Sequence, residues 1–473
     1  MKIDAKEVFK YFNEICKIPH GSFNMDKISE YCVNFAKENK LKYVCDQVKN
    51  VIIYKEATAG YASQTPVILQ AHIDMVCQKT PDCNINFETD GLDVVIDGDF
   101  IKANGTTLGA DNGIAVAMIM AILASNDISH PAIEAVFTTN EEVGMLGAGA
   151  LDVSLLKGKR MINLDSEEQD VITVSCAGGS DFIIYVSKKT TLVKGTKITV
   201  NIKGLKGGHS GVEIDKGRVN ANTLTARFLN HLKDYYLIDI NGGDKANAIP
   251  VSNIFTVVAD NSGHFVNDIT EYAKIVKEEI SDREPDFEID VSVQEHDEFE
   301  VFDKGTFDTI KYMLLTTPNG IVDMSKAIPN LVETSLNLGI LCTEKNHILM
   351  QYALRSNKKT ALDFLEERMV EFANHNCCKW EKSGRYQPWE YNKHSELRDL
   401  YKKVYKEKFK TEPKIEAIHA GLECAVFSSS IKDLDCIAIG PTMFGVHTTE
   451  EKLSISSTRI IFELLCKVLE KLC

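Results

Sequence analysis

The chain has 473 residues, 44% of them hydrophobic and 26% charged, a balance that suits a soluble globular protein of two or three domains and excludes disordered and collagen-like classes. Its formal net charge of −15 argues against nucleic acid or an anionic membrane surface as a partner. No run approaches the roughly 18 to 20 apolar residues of a membrane span, so no membrane association is expected.

The opening segment MKIDAKEVFKYFNEICKIPH is amphipathic and charged rather than a signal peptide, so the expected location is the cytoplasm. The thirteen cysteines fit that expectation. Their number is odd, they follow no disulfide framework, and two are adjacent in NCCKW, which suits reduced thiols; CQKTPDC is a minor zinc-pair candidate.

Short β-branched runs then alternate with helical patterns. TPVILQAHID, IEAVFTTNEE and RMINLDS read as strands, and NGIAVAMIMAILASND has the length and apolar density of a buried helix. The class is α/β, with a mostly parallel sheet covered by helices. Near residue 182 the texture changes to polar-alternating strands, hairpin-like turns and two amphipathic helices, NANTLTARFLNHLKDYY and ALDFLEERMVEFANH. This α+β segment, residues 183–383, is expected to be an inserted lid domain containing antiparallel sheet. Its strand-then-helix order hints at a diverged duplication. The α/β texture returns in KIEAIHA, CIAIGP and the closing helix STRIIFELLCKVLEKL, so residues 1–182 and 384–473 form the expected catalytic domain, entered and left by two crossings. The acidic run EEISDREPDFEID reads as a solvated face.

Ionisable residues gather where the strands end. His72 and Asp74 close the first, Asp111 sits in the turn LGADNGIA before the buried helix, Glu141 and Glu142 follow the second strand, and Asp165 follows the third. Taken singly, His72 and Asp74 would be a hydrogen-bonded pair at a strand end, Asp111 a helix cap, Glu141 and Glu142 solvated loop charges, and Asp165 a surface acid. Together they occupy the carboxyl ends of strands, the edge that lines the ligand crevice of open α/β sheets. Such a cluster repels itself: two unit charges about 4 Å apart cost about 4 kcal/mol at an effective dielectric of 20. Divalent ions are the natural compensation, and imidazole with carboxylate suits zinc, or cobalt or manganese in the same cage. His447, in the Gly-rich loop GPTMFGVHTTEEKLS after the last strand, supplies a further nitrogen.

The motifs AHIDMV, GADNGIA, TNEEVGMLGA, NLDSEE, GGHSG, NAIP, HAGLEC and GPTMFGVHTTEE, in this order, resemble those of the aminoacyl-histidine dipeptidases of the dinuclear metallopeptidase superfamily, which also holds aminoacylase and carboxypeptidase G-type enzymes. The resemblance implies a catalytic α/β domain interrupted by a lid, two divalent ions, and hydrolysis of unblocked dipeptides of Xaa-His type with broad specificity. It makes Asp111 the carboxylate shared by both ions, often with a cis peptide to the next residue, completed by His72 and Asp165 for one ion and by Glu142 and His447 for the other. A water shared by two cations ionises near neutral pH, and Glu141 is then its general base and later the acid. Asp74 is placed to orient the imidazole of His72.

The lid residues take their roles from the same resemblance. His209 in KGLKGGHSG would donate to the tetrahedral oxyanion. Asn247 in KANAIP and Arg355 in YALRSN would hold the substrate's backbone and carboxylate, Arg355 by a bidentate fork, and Gly421 in HAGLEC would offer a backbone contact. After that cysteine the family pattern continues with glycine, where this chain has Ala425. The expected partner is a small dipeptide, and a homodimer is one assembly open to the chain. Two other functions share these residues: a related amidohydrolase acting on N-acyl amino acids or tripeptides, and a non-enzymatic metal- or peptide-binding protein. Binding alone needs neither Asp74 nor Glu141.

Overall fold

Runs of Val, Ile, Leu and Ala too apolar to leave either side chain row in water form the centre of a sheet covered on both faces. In the computed structural model, which describes residues 5–472, this sheet has eight strands in the order Lys42–Cys45, Val51–Lys55, Ile133–Thr138, Val67–His72, Arg160–Asn163, Asp435–Ala438, Val171–Cys176, Lys414–Ile418. The four central strands, from Ile133–Thr138 to Asp435–Ala438, are parallel, and antiparallel pairings flank them. Register sets the level of their ends: His72 lies opposite Thr138, Gln70 opposite Asn163, and Asn163 opposite Ala438. All four chains therefore leave the sheet along one edge.

The helix Ala110–Ala124 is buried at every residue from Asn112 to Leu123, as a helix apolar all round must be. The closing helix Ile455–Lys471 instead buries a single stripe that includes Thr458, Ile461, Leu465 and Leu469, with the i, i+3, i+4 spacing of an amphipathic surface helix. No helix among the described residues is long and apolar enough to cross a membrane.

The chain divides into two compact units. The first comprises 5–176, Trp389–Ala417 and 422–472; the second comprises Ala177–Pro388 and Ile418–Gly421. The division falls at 176/177 and 388/389 rather than at 182/183 and 383/384, because the strands Gly178–Ser187 and Lys379–Tyr386 pair with each other and belong whole to the second unit. Ile418–Gly421 also joins the second unit, so the chain passes between the units four times instead of two.

The second unit is built on a nine-stranded sheet whose pairings are all antiparallel. Eight strands run in the order Glu288–Phe302, Thr190–Lys203, Asn253–Ala259, Tyr235–Gly242, Val332–Thr343, His347–Ser356, Gly178–Ser187, Lys379–Tyr386, and Gly320–Met324 pairs beside Val332–Thr343. The order resolves into two copies of one βαββαβ pattern. In the first, four strands from Thr190 to Phe302 enclose the helices Ala221–His231 and Ser262–Ile280, with spatial order 4-1-3-2. In the second, Gly178–Ser187 is the first strand and the helices are Lys304–Thr316 and Lys359–His375, with the same order reversed. The copies meet where Gly242 pairs with Leu341. One copy is thus inserted between the first strand and first helix of the other, which accounts for a recurrence without a plain sequence repeat.

In two of these four helices the periodic apolar stripe is not plain in the sequence. Ser262–Ile280 buries Phe265, Ile269, Ala273, Val276 and Ile280, and Lys304–Thr316 buries Thr306, Ile310, Met313 and Leu314. Dense charge between those positions masks the stripe. The acidic run is likewise no simple solvated face. Glu284 within it is fully buried, and its carboxylate accepts from the Lys206 and Val219 amides at 2.7 and 2.9 Å. Removing that acceptor leaves two backbone donors without their partner, at about 1 to 3 kcal/mol each. Glu284→Ala is expected to lower stability by about 2 to 6 kcal/mol in urea unfolding; a change below about 0.5 kcal/mol would contradict this role.

Candidate functional site

At the edge where the parallel strands end, the first unit collects His72, Asp74, Asp111, Glu141, Glu142, Asp165 and His447. Asp111 is central. Its Oδ1 lies 3.2 Å from His72 Nε2, and its Oδ2 lies 3.1 Å from His447 Nε2. Asp165 Oδ1 is 3.6 Å from the same His72 nitrogen, and Glu142 Oε1 is 3.0 Å from the same His447 nitrogen. Each oxygen of one carboxylate thus faces a different histidine and a different second carboxylate. The groups His72, Asp111, Asp165 and Asp111, Glu142, His447 each have ligand atoms within 4.8 Å of one another, as do His72, Glu141 and Glu142. Donors around a zinc-sized ion at about 2.0 to 2.2 Å stand roughly 3.3 to 3.6 Å apart in tetrahedral geometry. The observed separations of 3.0 to 3.6 Å between the paired donors fit such ions.

Backbone geometry serves the same end. The Asp111–Asn112 peptide is cis, and Asn112 Nδ2 donates to Asp165 Oδ1 at 2.9 Å and to the Leu164 carbonyl at 3.0 Å. Gly109 precedes the helix with φ of 66°, and a Cβ there would stand 2.8 Å from Met75 Sδ. A left-handed backbone this crowded favours glycine.

Asp74 is buried, as is His72, and it acts through more than its carboxylate. The Asp74 carbonyl, 3.0 Å away, fixes His72 Nδ1, while the carboxylate stands 3.6 Å from that nitrogen. The carboxylate oxygens accept from the Glu141 amide (2.9 Å), the Glu142 amide (3.3 Å) and the Ser22 hydroxyl (2.8 Å). One residue therefore sets both the imidazole and the turn that presents the two glutamates.

The electrostatics follow from burial and from the two histidines. Burial raises Glu141 well above the ordinary carboxyl range. It works against Asp111 as well, yet His447 and His72 hold that carboxyl low. Hydrogen bonds to Asp111 and Glu142 push His447 up to about 11. Burial disfavours charge on His72, but Asp165, Asp111 and Asp74 raise it far above its usual value. The acids draw on the imidazoles as their cations.

In the second unit, His209 lies in a two-stranded ribbon, Gly208–His209 against Ala248–Ile249. Its Nδ1 accepts from the amides of Gly211 (3.2 Å) and Val212 (3.1 Å), which leaves the proton on Nε2. Burial, with the Arg355 charge, lowers its pKa to about 4. Asn247 is exposed and its carbonyl accepts from the Ser210 amide at 2.9 Å, so the same ribbon carries both residues. Arg355 is buried on the strand His347–Ser356; its Nη1 donates to Tyr386 Oη at 2.9 Å, and its Nε has no hydrogen-bond partner among the described residues. Gly421 ends the short segment that begins at Ile418. That segment is pinned by His419, which bonds Ser335 Oγ at 2.7 Å and Asn357 Oδ1 at 3.0 Å.

Comparison with known proteins agrees with this architecture. The model of peptidase family M20/M25/M40 matches residues 68–471. The chain belongs to that family. This M20 peptidase is therefore a hydrolase acting on peptide bonds. It is 36% identical over its full length to the cytosol non-specific dipeptidase of Escherichia coli strain K12, covering 98% of that protein. Its structure is similar to that of the aminoacylhistidine dipeptidase from Vibrio alginolyticus, with a TM-score of 0.89 and 35% identity over 98% of this chain and 96% of that one. The aminopeptidase PepT of Bacillus cereus shares the fold at 15% identity and a TM-score of 0.59, each chain covered in full.

Two further residues of the first unit support this site. Ser22, which bonds Asp74, carries no signal in the sequence, whereas Glu423 begins a helix inside the motif HAGLEC, where nothing in the sequence marks its burial. Glu423 is fully buried, with Oε2 2.7 Å from the Thr138 hydroxyl and in contact with Gln70 Nε2, two residues before His72. Ala425 is buried in that same helix, Glu423–Ser430, which accommodates its methyl. Cys77 and Cys83 are free thiols and enter none of the metal-competent groups among the described residues. The imidazole of His209 is expected to stay neutral, with its proton on Nε2, throughout pH 5.5 to 8.5. Nitrogen-15 NMR of labelled histidine checks this; a His209 midpoint near 6.5, or a proton on Nδ1, would contradict the geometry.

Proposed function

We propose that this protein is a cytoplasmic dipeptidase that hydrolyses unblocked dipeptides, aminoacyl-histidine dipeptides among them, with two divalent ions, zinc or in the same cage cobalt or manganese. The observation that carries the reading is the division of the Asp111 carboxylate between His72 and His447. In it His72, Asp111 and Asp165 hold one ion, and Asp111, Glu142 and His447 hold the other. Full-length similarity to a relative named as a cytosol non-specific dipeptidase supports the substrate class and the compartment. The first unit is then the catalytic domain and the second the lid domain.

When bound, the ions polarise the scissile carbonyl and bring a water within reach of ionisation near neutral pH. The chain's own groups do the rest. Glu142 meets His447 and serves as ligand, whereas Glu141, beside His72 and Glu142, takes the water's proton and returns it to the leaving amine. Asp74 fixes the turn that presents the two glutamates by accepting from both of their amides. His209, with its proton on Nε2, donates to the oxyanion of the tetrahedral intermediate. Arg355, whose Nε lacks a partner among the described residues, receives the substrate carboxylate by its fork, and Asn247 and Gly421 hold the substrate backbone.

A dipeptide panel assayed with zinc, cobalt and manganese tests the reading directly: turnover is expected with metal and none after chelation. Glu141→Gln should keep metal binding and lose roughly 10²- to 10⁴-fold in kcat; residual turnover above about a percent would be too much for a missing base. Arg355→Ala should chiefly raise KM, and an amidated dipeptide should reproduce that defect in the wild type while adding little in the variant. An equal amide penalty in both proteins would remove Arg355 from carboxylate recognition.

A further inference from the structure

The last loop of the first unit bears His447 and, four residues on, a buried carboxylate whose function nothing above assigns. Glu451 is 3% exposed. Its Oε2 accepts from the amides of Leu108 and Gly109 at 2.7 and 3.1 Å, and its Oε1 accepts from those of Ala110 and Asp111 at 2.9 and 3.3 Å. Four consecutive backbone donors thus converge on one side chain. They are the amides of the segment that leads into the buried helix Ala110–Ala124, whose backbone departs from helical geometry at Asp111 and Asn112, so the side chain satisfies donors that no regular helical turn would take up.

The other end of this link is equally fixed. Thr448 donates to the Gly445 carbonyl through its amide (3.1 Å) and its hydroxyl (2.7 Å). The Glu450 amide donates to Thr448 Oγ1 at 3.1 Å, and the Glu451 amide to the Thr448 carbonyl at 3.2 Å. Within this closed turn His447 holds φ of 65°, a left-handed conformation that a side chain keeps only when its surroundings enforce it. His447 and Glu451 therefore move as one body.

We infer that Glu451 is a positioning residue that locks the Asp111 segment to the His447 turn, so that Asp111 and His447 reach their common partner at a fixed separation. The inference rests on the proposed two-ion reading only for its functional consequence; the lock itself is a property of the chain. A simple helix cap would hold Leu108–Asp111 and nothing else. This carboxylate stands on the segment that carries the facing ligand, so its loss should loosen two of the three donors in the group Asp111, Glu142, His447 and one of three in the group His72, Asp111, Asp165.

Glu451→Gln preserves shape but turns an amide NH₂ toward backbone N–H groups, donor against donor. Two measurements test the lock. Amide hydrogen exchange on the metal-free protein should find Leu108 to Asp111 protected in the wild type and exchanging at least 10-fold faster in Glu451→Gln, while the strand Val67–His72 is unchanged. Cobalt titration followed by visible absorption should find two ions in the wild type and, in the variant, one ion weakened about 10- to 100-fold and the other by less. A general loosening would weaken both ions alike and speed exchange in the strand, which would overturn the inference. So would wild-type exchange together with wild-type cobalt binding in the variant. If Glu451→Gln does not fold, unprotected amides at Leu108 to Asp111 in the wild type would overturn the lock by themselves. Fewer than two cobalt ions in the wild type would instead sink the two-ion reading, with the exchange data still deciding on Glu451.

Discussion

Everything at the candidate site depends on a single carboxylate with two faces. Asp111 turns one oxygen to His72 and the other to His447, and each of those nitrogens meets a second acid, Asp165 or Glu142. Acids so close together cost several kcal/mol of repulsion unless cations lie among them. In the metal-free chain the imidazoles fill that part, which is why both are driven far toward their charged forms. Divalent ions in the same positions would supply more charge at shorter range, and the imidazoles would then bind them as neutral ligands.

The fold delivers these groups with little freedom. Parallel pairing puts the ends of four strands on one edge, and the residues that leave it are then fixed by hydrogen bonds rather than by sheet geometry. Asp74 uses its carbonyl for His72 and its carboxylate for the Glu141–Glu142 turn. Asn112 holds Asp165. These contacts orient the donors, and donor orientation decides how tightly a metal is held. The second unit follows a different rule. Its two βαββαβ copies join into one continuous antiparallel sheet, and His209 and Asn247 sit together on a small separate ribbon.

Much of this was legible in the sequence, for identifiable reasons. Central strands buried on both faces must be continuous apolar runs, so Val67–His72, Ile133–Thr138 and Arg160–Asn163 stand out, and their ends point to the acids that follow. The buried helix Ala110–Ala124 is legible for the same cause. Legibility fails where a residue's role depends on a partner distant in the chain. Glu284 lies in an acidic run that resembles solvated surface, yet it binds amides 65 and 78 residues away. Glu451 beside Glu450 has the same disguise across more than 340 residues. The helices Ser262–Ile280 and Lys304–Thr316 were hidden by the charges that separate their apolar positions. The passage of Ile418–Gly421 into the second unit has no compositional mark, because four residues are too few to carry one.

The central claim is that Asp111 belongs to two ion sites at once. An anomalous-scattering map of crystals grown with zinc tests it most directly. The account predicts two peaks, one beside His72 and Asp165 and the other beside Glu142 and His447, each about 2.0 to 2.2 Å from a different oxygen of Asp111. A single peak, or two peaks of which either lies beyond bonding distance of Asp111, would contradict it.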